Sequence, residues 1–466
     1  MSEMQLDISL NSIVNPLKNT LDAGKFIFLA ECTPPENERR LEAVIERITP
    51  LADTMEKQND LCGGIAITDH YGAPWSAVEI AAALPEERRN NHLCYLSGNG
   101  RTPGQINELL NIAANAGILN LVSVTGSAVD LSLRECRARG FTCSTRQLQM
   151  ISMRENGFFA GAQFNPFHYD HNTAFALYNS LTGKINAGAQ FIVCQSGWDM
   201  LQNQTLAWFM LHKKSFLPLI AHLTLLSPDK AEKIISGKIP GVRMTPAFRK
   251  LLEQELSGSK AQFEAAQYRR IELQAAGCRL MGYNGVQISG VDFPGRAQVV
   301  AARIRSALQE FRTFEHWLDE YNSHQAGAEM GGGASRFHLF DRVLRRPYNF
   351  DEPPVINDPG KVDFSWKEKF QYYLKRFLFA NADTQRAGRD YLLKKLLANC
   401  QTCEKCSLPQ HHFICINNCP MRMINGPCGA VNEDGKCEFS NTECVFVKKV
   451  RCSRWREGFS CLESTH

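Results

Sequence analysis

The sequence lacks several features that would place it in a specialised class of protein. No apolar run approaches the roughly 18 residues of a membrane-spanning helix. The first residues, MSEMQLDISLNSIVNPLKN, lack the basic start and apolar core of a secretory signal. The net charge is only +4 over 466 residues, which argues against nucleic acid or a membrane as a partner. These absences predict a cytoplasmic protein, in whose reducing surroundings disulfides do not persist.

The first 310 residues alternate between short apolar or β-branched runs and stretches with helical periodicity. Strands that alternate with helices predict right-handed βαβ units and a parallel sheet. Eight such runs predict an α/β fold, a (β/α)8 TIM barrel. A doubly wound open sheet is the alternative, but the glycine-rich turn GNGRTPG lacks the spacing of a phosphate-binding turn. The eight runs are FIFLAEC, GIAITD, HLCYLSG, LVSVTG, FFAGAQF, FIVCQSG, PLIAHLTLL and GYNGVQISG.

The length predicts two domains joined by a linker. We assign residues 1–320 to the barrel and residues 321–336, which are rich in Gly and Ala, to a flexible linker. Residues 337–466 form a helical and cysteine-rich domain. Within it, FSWKEKFQYYLKRFLFA (364–380) predicts a helix whose apolar stripe consists of Phe370, Tyr373, Leu374, Phe377 and Leu378. We expect this stripe to pack on the barrel or on the next helix, with binding of a partner as the alternative.

Ten of the 17 cysteines lie in the last 67 residues. In a reducing compartment a thiol cluster indicates a metal site rather than a disulfide framework. Spacings such as CQTCEKC allow thiolates to converge on one ion. Zinc and a [4Fe–4S] cluster both remain open, because soft thiolates suit either. The predicted ligands are Cys400, Cys403, Cys406, Cys415, Cys419, Cys428, Cys437 and Cys444.

The order of these motifs, C-x2-C-x2-C, CxxxCP, NGPCG and CE, resembles the cysteine-rich carboxy-terminal domain found with some bacterial methylenetetrahydrofolate reductases. The resemblance extends backwards into the barrel. That family is a flavin-bearing (β/α)8 barrel that converts 5,10-methylenetetrahydrofolate to 5-methyltetrahydrofolate. The resemblance therefore implies a folate one-carbon oxidoreductase that uses a tetrahydrofolate derivative as substrate and FAD as cofactor.

Chemistry in such a barrel lies at the carboxyl ends of the strands. Glu31 ends the first strand, where burial should raise its pKa towards neutrality, and the resemblance implies that it is the proton donor. Gln195 matches the glutamine that pairs with the pterin, since an amide both donates and accepts. The other predicted folate contacts are Thr68, Ser127 and Asn165. The predicted flavin contacts are Thr68, Gly126 and Lys184.

Several positions depart from the family pattern on the flavin side of the site. Ser127 stands where the family has an aspartate, and Tyr95 stands where it has a histidine. The helix before strand six normally carries an aspartate, an asparagine and an arginine, and the aligned residues are Leu177, Ser180 and Gly183. These losses remove charged contacts for a dinucleotide phosphate. We therefore expect weak or absent flavin, although the folate half of the site is kept.

Two alternatives to the reductase remain open at this point. One is a flavin-free tetrahydrofolate methyltransferase or demethylase that forms 5-methyltetrahydrofolate. The other is a folate-binding or electron-transfer subunit of a larger complex. The predicted partners are a folate, a hydride or methyl donor, and a protein that contacts the carboxy-terminal domain. The oligomeric state is left open.

Overall fold

The computed structural model describes most of the chain. The described ranges are 14–58, 61, 63–70, 72–126, 140–238, 242, 244–324, 336–340, 343–380, 390–401, 406–423, 425–429, 431–432, 434–437 and 439–458. Among these residues, no helix is both long and apolar enough to cross a membrane.

Eight parallel strands close into a barrel in which each strand pairs with its neighbours in sequence and β8 pairs with β1. The predicted (β/α)8 barrel is therefore confirmed, and the open sheet is excluded. The strands are β1 Ile27–Cys32, β2 Gly64–Ile67, β3 Leu93–Ser97, β4 Asn120–Val124, β5 Phe159–Phe164, β6 Phe191–Ser196, β7 Leu219–Thr224 and β8 Gly285–Ser289.

Helices of the barrel region surround the strands. They are α1 Pro16–Asp22, α2 Leu41–Glu56, α3 Ala77–Ala82, α4 Pro103–Asn115, α5 Ser144–Ser152, α6 His171–Asn186, α7 Met200–His212, α8 Pro228–Ile235, α9 Pro246–Leu256, α10 Lys260–Leu280, α11 Pro294–Glu310 and α12 Phe314–His324. Several begin with the capping pattern that their sequence predicts. At α4, for example, Thr102 accepts from the backbone N–H of Gln105, and Pro103 occupies the first turn.

The inside of the barrel is filled by alternate residues of the strands. One apolar cluster contains Ile27 and Leu29 of β1 together with nine residues of the strands β2 to β7, including Tyr95 of β3 and Ile220 of β7. Leu17 of α1 belongs to the same cluster, so α1 closes the amino-terminal end of the barrel. Because side chains alternate along a strand, the residue two positions after Leu29 also faces inwards, at the carboxyl end.

The described residues of the carboxy-terminal part form three further α-helices, α13 Trp366–Phe379, α14 Asp390–Ala398 and α15 Val445–Glu457. Residues of the cysteine-rich segment, among them Ile416 and Phe446, belong to the same apolar cluster as the outer face of the barrel strands. The guanidinium of Arg454 on α15 donates to Asn172 Oδ1 of α6 over 2.8 Å. The cysteine-rich segment therefore packs directly on α6.

The apolar stripe predicted for α13 is not where we expected it. Tyr372 and Phe379 are buried, whereas Phe370, Tyr373 and Phe377 are exposed. The helix binds the rest of the protein through a narrow strip on its other side. The expectation that the main stripe packs inside this chain was wrong, because amphipathicity shows that a helix has two faces but not which of them the fold covers.

Candidate active site

Polar side chains replace apolar ones at the carboxyl end of the barrel interior. On β1, β3, β6 and β7 a polar residue stands two positions beyond a residue of the apolar cluster, so it shares the inward direction of that residue. This polar layer consists of Glu31, Gln163, Gln195, His222, Gln287 and Ser289, with Ser97 and Thr224 at the strand ends. The carboxyl end is the face of a (β/α)8 barrel at which substrates bind.

Glu31 is held by the two strands that close the barrel beside β1. His222 on β7 places Nε2 3.0 Å from Glu31 Oε2. Gln287 on β8 donates from Nε2 to the same carboxylate oxygen over 2.8 Å. The Tyr95 hydroxyl donates to Gln287 Oε1 over 2.7 Å, which fixes the orientation of the amide. The register that pairs His222 with Gln287 brings these side chains together.

The predicted direction of the Glu31 pKa was wrong. Burial raises this pKa and is the largest single influence. Attraction to His222, the contact with its ring, attraction to Lys230 and the hydrogen bond from Gln287 together outweigh it and lower the pKa of Glu31 to about 2. Glu31 is therefore a carboxylate at neutral pH, and its negative charge faces the His222 ring.

His222 has unused hydrogen-bonding capacity that points to a ligand. Its side chain is only 10% exposed. Both ring nitrogens are buried: Nε2 lies within ion-pair distance of Glu31 without the geometry of a hydrogen bond, and Nδ1 has no hydrogen-bond partner among the described residues. Leaving a buried imidazole nitrogen unpaired costs free energy unless something bound in the site pairs with it. His222 is thus the side chain of the polar layer that is best placed to meet a substrate.

Gln195 lies on the opposite side of the layer, on β6. Its Oε1 accepts a hydrogen bond from Gln163 Nε2 over 2.6 Å. This contact leaves the amide N–H groups of Gln195 and the carbonyl of Gln163 to present to a ligand that both donates and accepts. The structure thus places Gln195 in the polar layer with Glu31. The pairing with a pterin remains a prediction.

A chain of hydroxyl groups and one lysine forms a third part of the layer. Thr224 Oγ1 is 2.5 Å from Ser196 Oγ and 2.9 Å from Ser289 Oγ. Lys230 on α8 donates from Nζ to Ser289 Oγ over 3.2 Å. The ammonium of Lys230 therefore stands at the rim of the site, where it also attracts Glu31.

The remaining predicted site residues lie outside the polar layer as defined above. Thr68 follows β2, and its hydroxyl donates to the backbone carbonyl of Cys32 over 3.3 Å. Asn165 is buried, and its Oδ1 accepts from the backbone N–H of Phe167 over 3.0 Å. Gly126 has a φ of +80°, and a Cβ there would lie 2.2 Å from Ser97 Oγ, so only glycine fits. Ser127 lies outside the described residues.

Lys184, the one cation kept from the family's flavin contacts, is already engaged. Its Nζ donates to the backbone carbonyl of Gln163 over 2.7 Å. Burial lowers the pKa of Lys184 to about 8, while the nearby thiols of Cys143 and Cys428 act in the opposite direction. Cys428 belongs to the cysteine-rich segment, so this segment reaches α6 close to the polar layer.

The helix positions that resemble the flavin-binding positions of the family do not fit a dinucleotide. Leu177 and Ser180 are buried in α6. Gly183 faces the cysteine-rich segment, since a Cβ there would lie 4.0 Å from Asn425 Nδ2. The surface of α6 that would meet the flavin phosphates is therefore apolar, buried or covered by the chain itself, and it offers few charged contacts.

The cysteines predicted to bind metal are partly brought together. Burial raises the pKa of the Cys444 thiol to about 11, the backbone N–H groups of Val447 and Phe446 lower it, and the neighbouring thiols of Cys419 and Cys437 raise it further. These three sulfurs are thus close enough to interact. In the described ranges, no group of three or more His, Cys, Asp or Glu has the geometry of a metal site. Cys403 lies outside these ranges, and the metal site remains a prediction.

His222, Gln287 and Lys230 are not among the site residues that the sequence predicted. The first two are single polar residues in otherwise apolar strands, LIAHLT and GVQIS. A polar residue inside a buried strand costs free energy unless it is paired, and that was a usable signal. Which side chain pairs with Glu31 depends on the closure of β7, β8 and β1, which no local pattern reveals.

Comparison with known proteins adds family information. The profile described as methylenetetrahydrofolate reductase matches residues 16–236, and the profile described as methylene-tetrahydrofolate reductase C terminal matches residues 379–460. Among solved structures, an uncharacterized protein from Clostridium thermocellum that binds two copies of 5-methyl-5,6,7,8-tetrahydrofolic acid is similar at 13% identity and a TM-score of 0.45. The similarity covers 62% of this chain and 98% of that one. No curated protein matches.

Proposed function

The chain belongs to the methylenetetrahydrofolate reductase family, and we propose that it interconverts 5,10-methylenetetrahydrofolate and 5-methyltetrahydrofolate in the polar layer of its barrel. The observation that carries this proposal is the Glu31–His222–Gln287 cluster, which faces the same interior as Gln195. One side of the layer handles a proton, and the other offers amide groups to a pterin edge.

The reduction needs one proton and one hydride. A proton delivered to N10 of 5,10-methylenetetrahydrofolate breaks the bond between N10 and the methylene carbon, and it leaves an iminium at N5. A hydride from a donor then completes the methyl group. Because Glu31 is ionised, His222 supplies the proton, while Glu31 orients the imidazole and stabilises positive charge on the iminium.

A second candidate, methyl transfer, is favoured by the fit of α6 to the cysteine-rich segment rather than to flavin. In that reaction a methyl group passes from a donor to N5 of tetrahydrofolate, the bond between the methyl group and the donor breaks, and the N5 proton leaves. The imidazole of His222 would take that proton, and the Glu31 carboxylate would stabilise the imidazolium that forms. No reductant is consumed.

One pair of incubations separates the two candidates. The purified protein is given 5,10-methylenetetrahydrofolate with a reduced nicotinamide or a reduced viologen dye, and 5-methyltetrahydrofolate is measured by liquid chromatography and mass spectrometry. In parallel it is given tetrahydrofolate with methyl donors and no reductant. Product in the first incubation supports reduction, and product only in the second supports methyl transfer. Absence of product and of folate binding would reject both.

Gln195→Ala should weaken folate binding without unfolding the barrel. The substitution removes the amide that meets the pterin and leaves Gln163 Nε2 without its acceptor. Unpaired groups of this kind cost roughly 1–3 kcal/mol each, which is roughly 5- to 150-fold in affinity. Titration calorimetry with 5-methyltetrahydrofolate measures the effect. Gln309→Ala, on the exposed face of α11, is the matched control. Equal affinities would place Gln195 outside the binding site.

Purified protein should carry well below one equivalent of flavin. The aspartate, asparagine and arginine that the resemblance implies for flavin binding are replaced by Leu177, Ser180 and Gly183, and each lost hydrogen bond to a charged group costs roughly 1.5–3 kcal/mol. Together these losses weaken binding by several powers of ten. The visible absorbance of the protein, before and after incubation with excess FAD and gel filtration, measures flavin retention. One retained equivalent would contradict this expectation and favour flavin-mediated reduction.

A further inference from the structure

Two helices near the cysteine-rich segment each expose several large apolar side chains. We call α13 and α14 together the basic–aromatic hairpin. On α13, Trp366 is 73% exposed and Phe377 is 85% exposed. On α14, Leu392 and Leu396 are 72% and 82% exposed. Single exposed apolar residues are ordinary, but a group of this size on one feature marks a binding surface.

The exposed stripe of α13 is distinct from the side that holds the helix in place. Trp366, Phe370, Tyr373 and Phe377 recur at spacings of four, three and four residues and so share one face. The buried residues, Tyr372 and Phe379, lie on the opposite face. The stripe is therefore available without any change in the fold.

The hairpin also concentrates the positive charge of the chain. It contains six cationic residues, Lys367, Lys369, Lys375, Arg376, Lys394 and Lys395, and two acidic ones, Glu368 and Asp390. Six minus two gives +4, the formal net charge of all 466 residues, so the rest of the chain is balanced. Glu368 pairs with Arg451 of α15 over 2.5 Å, which leaves the exposed flanks of α13 cationic.

We propose that the basic–aromatic hairpin docks a partner protein whose surface has an apolar patch surrounded by acidic residues. Lysines flank the stripe on α13, with Lys367 on one side and Lys369 on the other, so attraction and apolar burial act on the same partner. A second copy of this chain would bring like charges together. Four aromatic side chains of roughly 150–250 Å² each supply the core of a small, transient interface.

The basic–aromatic hairpin lies beside predicted metal ligands, so a partner that docks on it is brought close to them. The buried face of the hairpin packs on Cys406 and Cys415, two of the predicted metal ligands, in a cluster that also contains Phe379. A helix with its side chains is about 10 Å across. A partner on the exposed stripe therefore comes within about one helix diameter of these thiols. Its identification as the hydride or methyl donor rests on the proposed function, whereas the docking itself does not.

Photocrosslinking in the full-length chain tests the docking. Benzoylphenylalanine replaces Phe377 in the cells from which the protein comes, and the crosslinked product is identified by mass spectrometry. The matched control carries the same group in place of Phe216, which is 73% exposed outside the hairpin. We expect a defined acidic protein at position 377 and not at 216. That protein is then purified, and its affinity for the wild-type chain is measured by titration.

The measured affinity should fall more than about tenfold with Phe377→Asp and with Lys369→Glu, while Phe216→Asp leaves it unchanged. It should also fall as salt is raised, because the contact is between opposite charges. The proposal is overturned if position 377 yields the same products as 216 or no product. It is also overturned if the crosslinked product is a second copy of this chain and added salt does not weaken their association. Flotation of the chain with phosphatidylglycerol vesicles, without a crosslink to any protein, would overturn it too.

Discussion

Glu31→Gln and His222→Gln should each lower turnover of the folate reaction by roughly 10²- to 10⁴-fold, the usual size of a lost proton-transfer group. The two side chains form one device, since His222 Nε2 lies 3.0 Å from the Glu31 carboxylate. In the proposed mechanism His222 transfers the proton, and the Glu31 carboxylate keeps its ring in position. The double variant should therefore be little worse than His222→Gln alone, because residues that act as a unit are not additive.

Steady-state rates of the two single variants and the double variant check this expectation. Glu315→Gln, which removes an exposed carboxylate far outside the polar layer, is the control and should keep full activity. Independent, multiplicative losses would show that Glu31 and His222 do not share a proton. Unchanged turnover in Glu31→Gln would make Glu31 a structural carboxylate.

The low pKa of Glu31 also has a consequence for stability. Its folded-state pKa of about 2 lies below the ordinary value of 4.5, so its ionised form stabilises the fold at neutral pH. This contribution is fully present above about pH 4.5 and is lost as the pH falls towards about 2. Glu31→Gln should accordingly lower the free energy of unfolding at pH 7, and the gap to wild type should narrow in acid. Urea denaturation at pH 7 and pH 4 measures that gap.

Cys444→Ser should weaken the predicted metal site of the cysteine-rich segment and loosen that segment from α6. In small domains the binding of a structural zinc contributes roughly 10–16 kcal/mol to the free energy of folding. The loss of one zinc ligand should therefore destabilise the segment more than a surface substitution does. Cys444 has Cys419 and Cys437 beside it, and it begins α15, whose Arg454 holds Asn172. Metal analysis of the purified variants and limited proteolysis of the segment provide the measurement.

Cys452→Ser is the control for this prediction, because Cys452 is buried in α15 but lies outside the predicted ligand set. It should keep its metal. Treatment of the wild-type protein with a chelator should reproduce the Cys444→Ser result. Less than about half an equivalent of zinc plus iron in the wild-type protein would reject a structural metal. If Cys444→Ser and Cys452→Ser lose metal and protease resistance to the same extent, the segment is stabilised by the packing of its side chains and not by Cys444 as a metal ligand.

Much of the architecture follows from local sequence. Apolar runs of strand length that alternate with capped amphipathic helices leave few topologies open, and β-strands joined by helices pair in parallel with one handedness. That is why the barrel could be predicted from the alternation of GIAITD, LVSVTG and their counterparts. The family assignment came from cysteine spacings and short motifs, which are also local.

Tertiary structure decided what the local patterns left open. The sequence by itself determined that Glu31 ends a strand, but its pKa depends on His222, Gln287 and Lys230, which lie about 190 to 260 positions away and meet it only when β7 and β8 close against β1. Burial alone predicted a raised pKa, and three distant neighbours reversed it. In the same way the pattern of α13 showed two faces, and only packing decided that Tyr372 would be covered and Phe377 left to solvent. The pKa of a side chain and the burial of a helix face depend on which groups are close in three dimensions. Groups that are remote in sequence contribute to both, so local sequence patterns do not predict them.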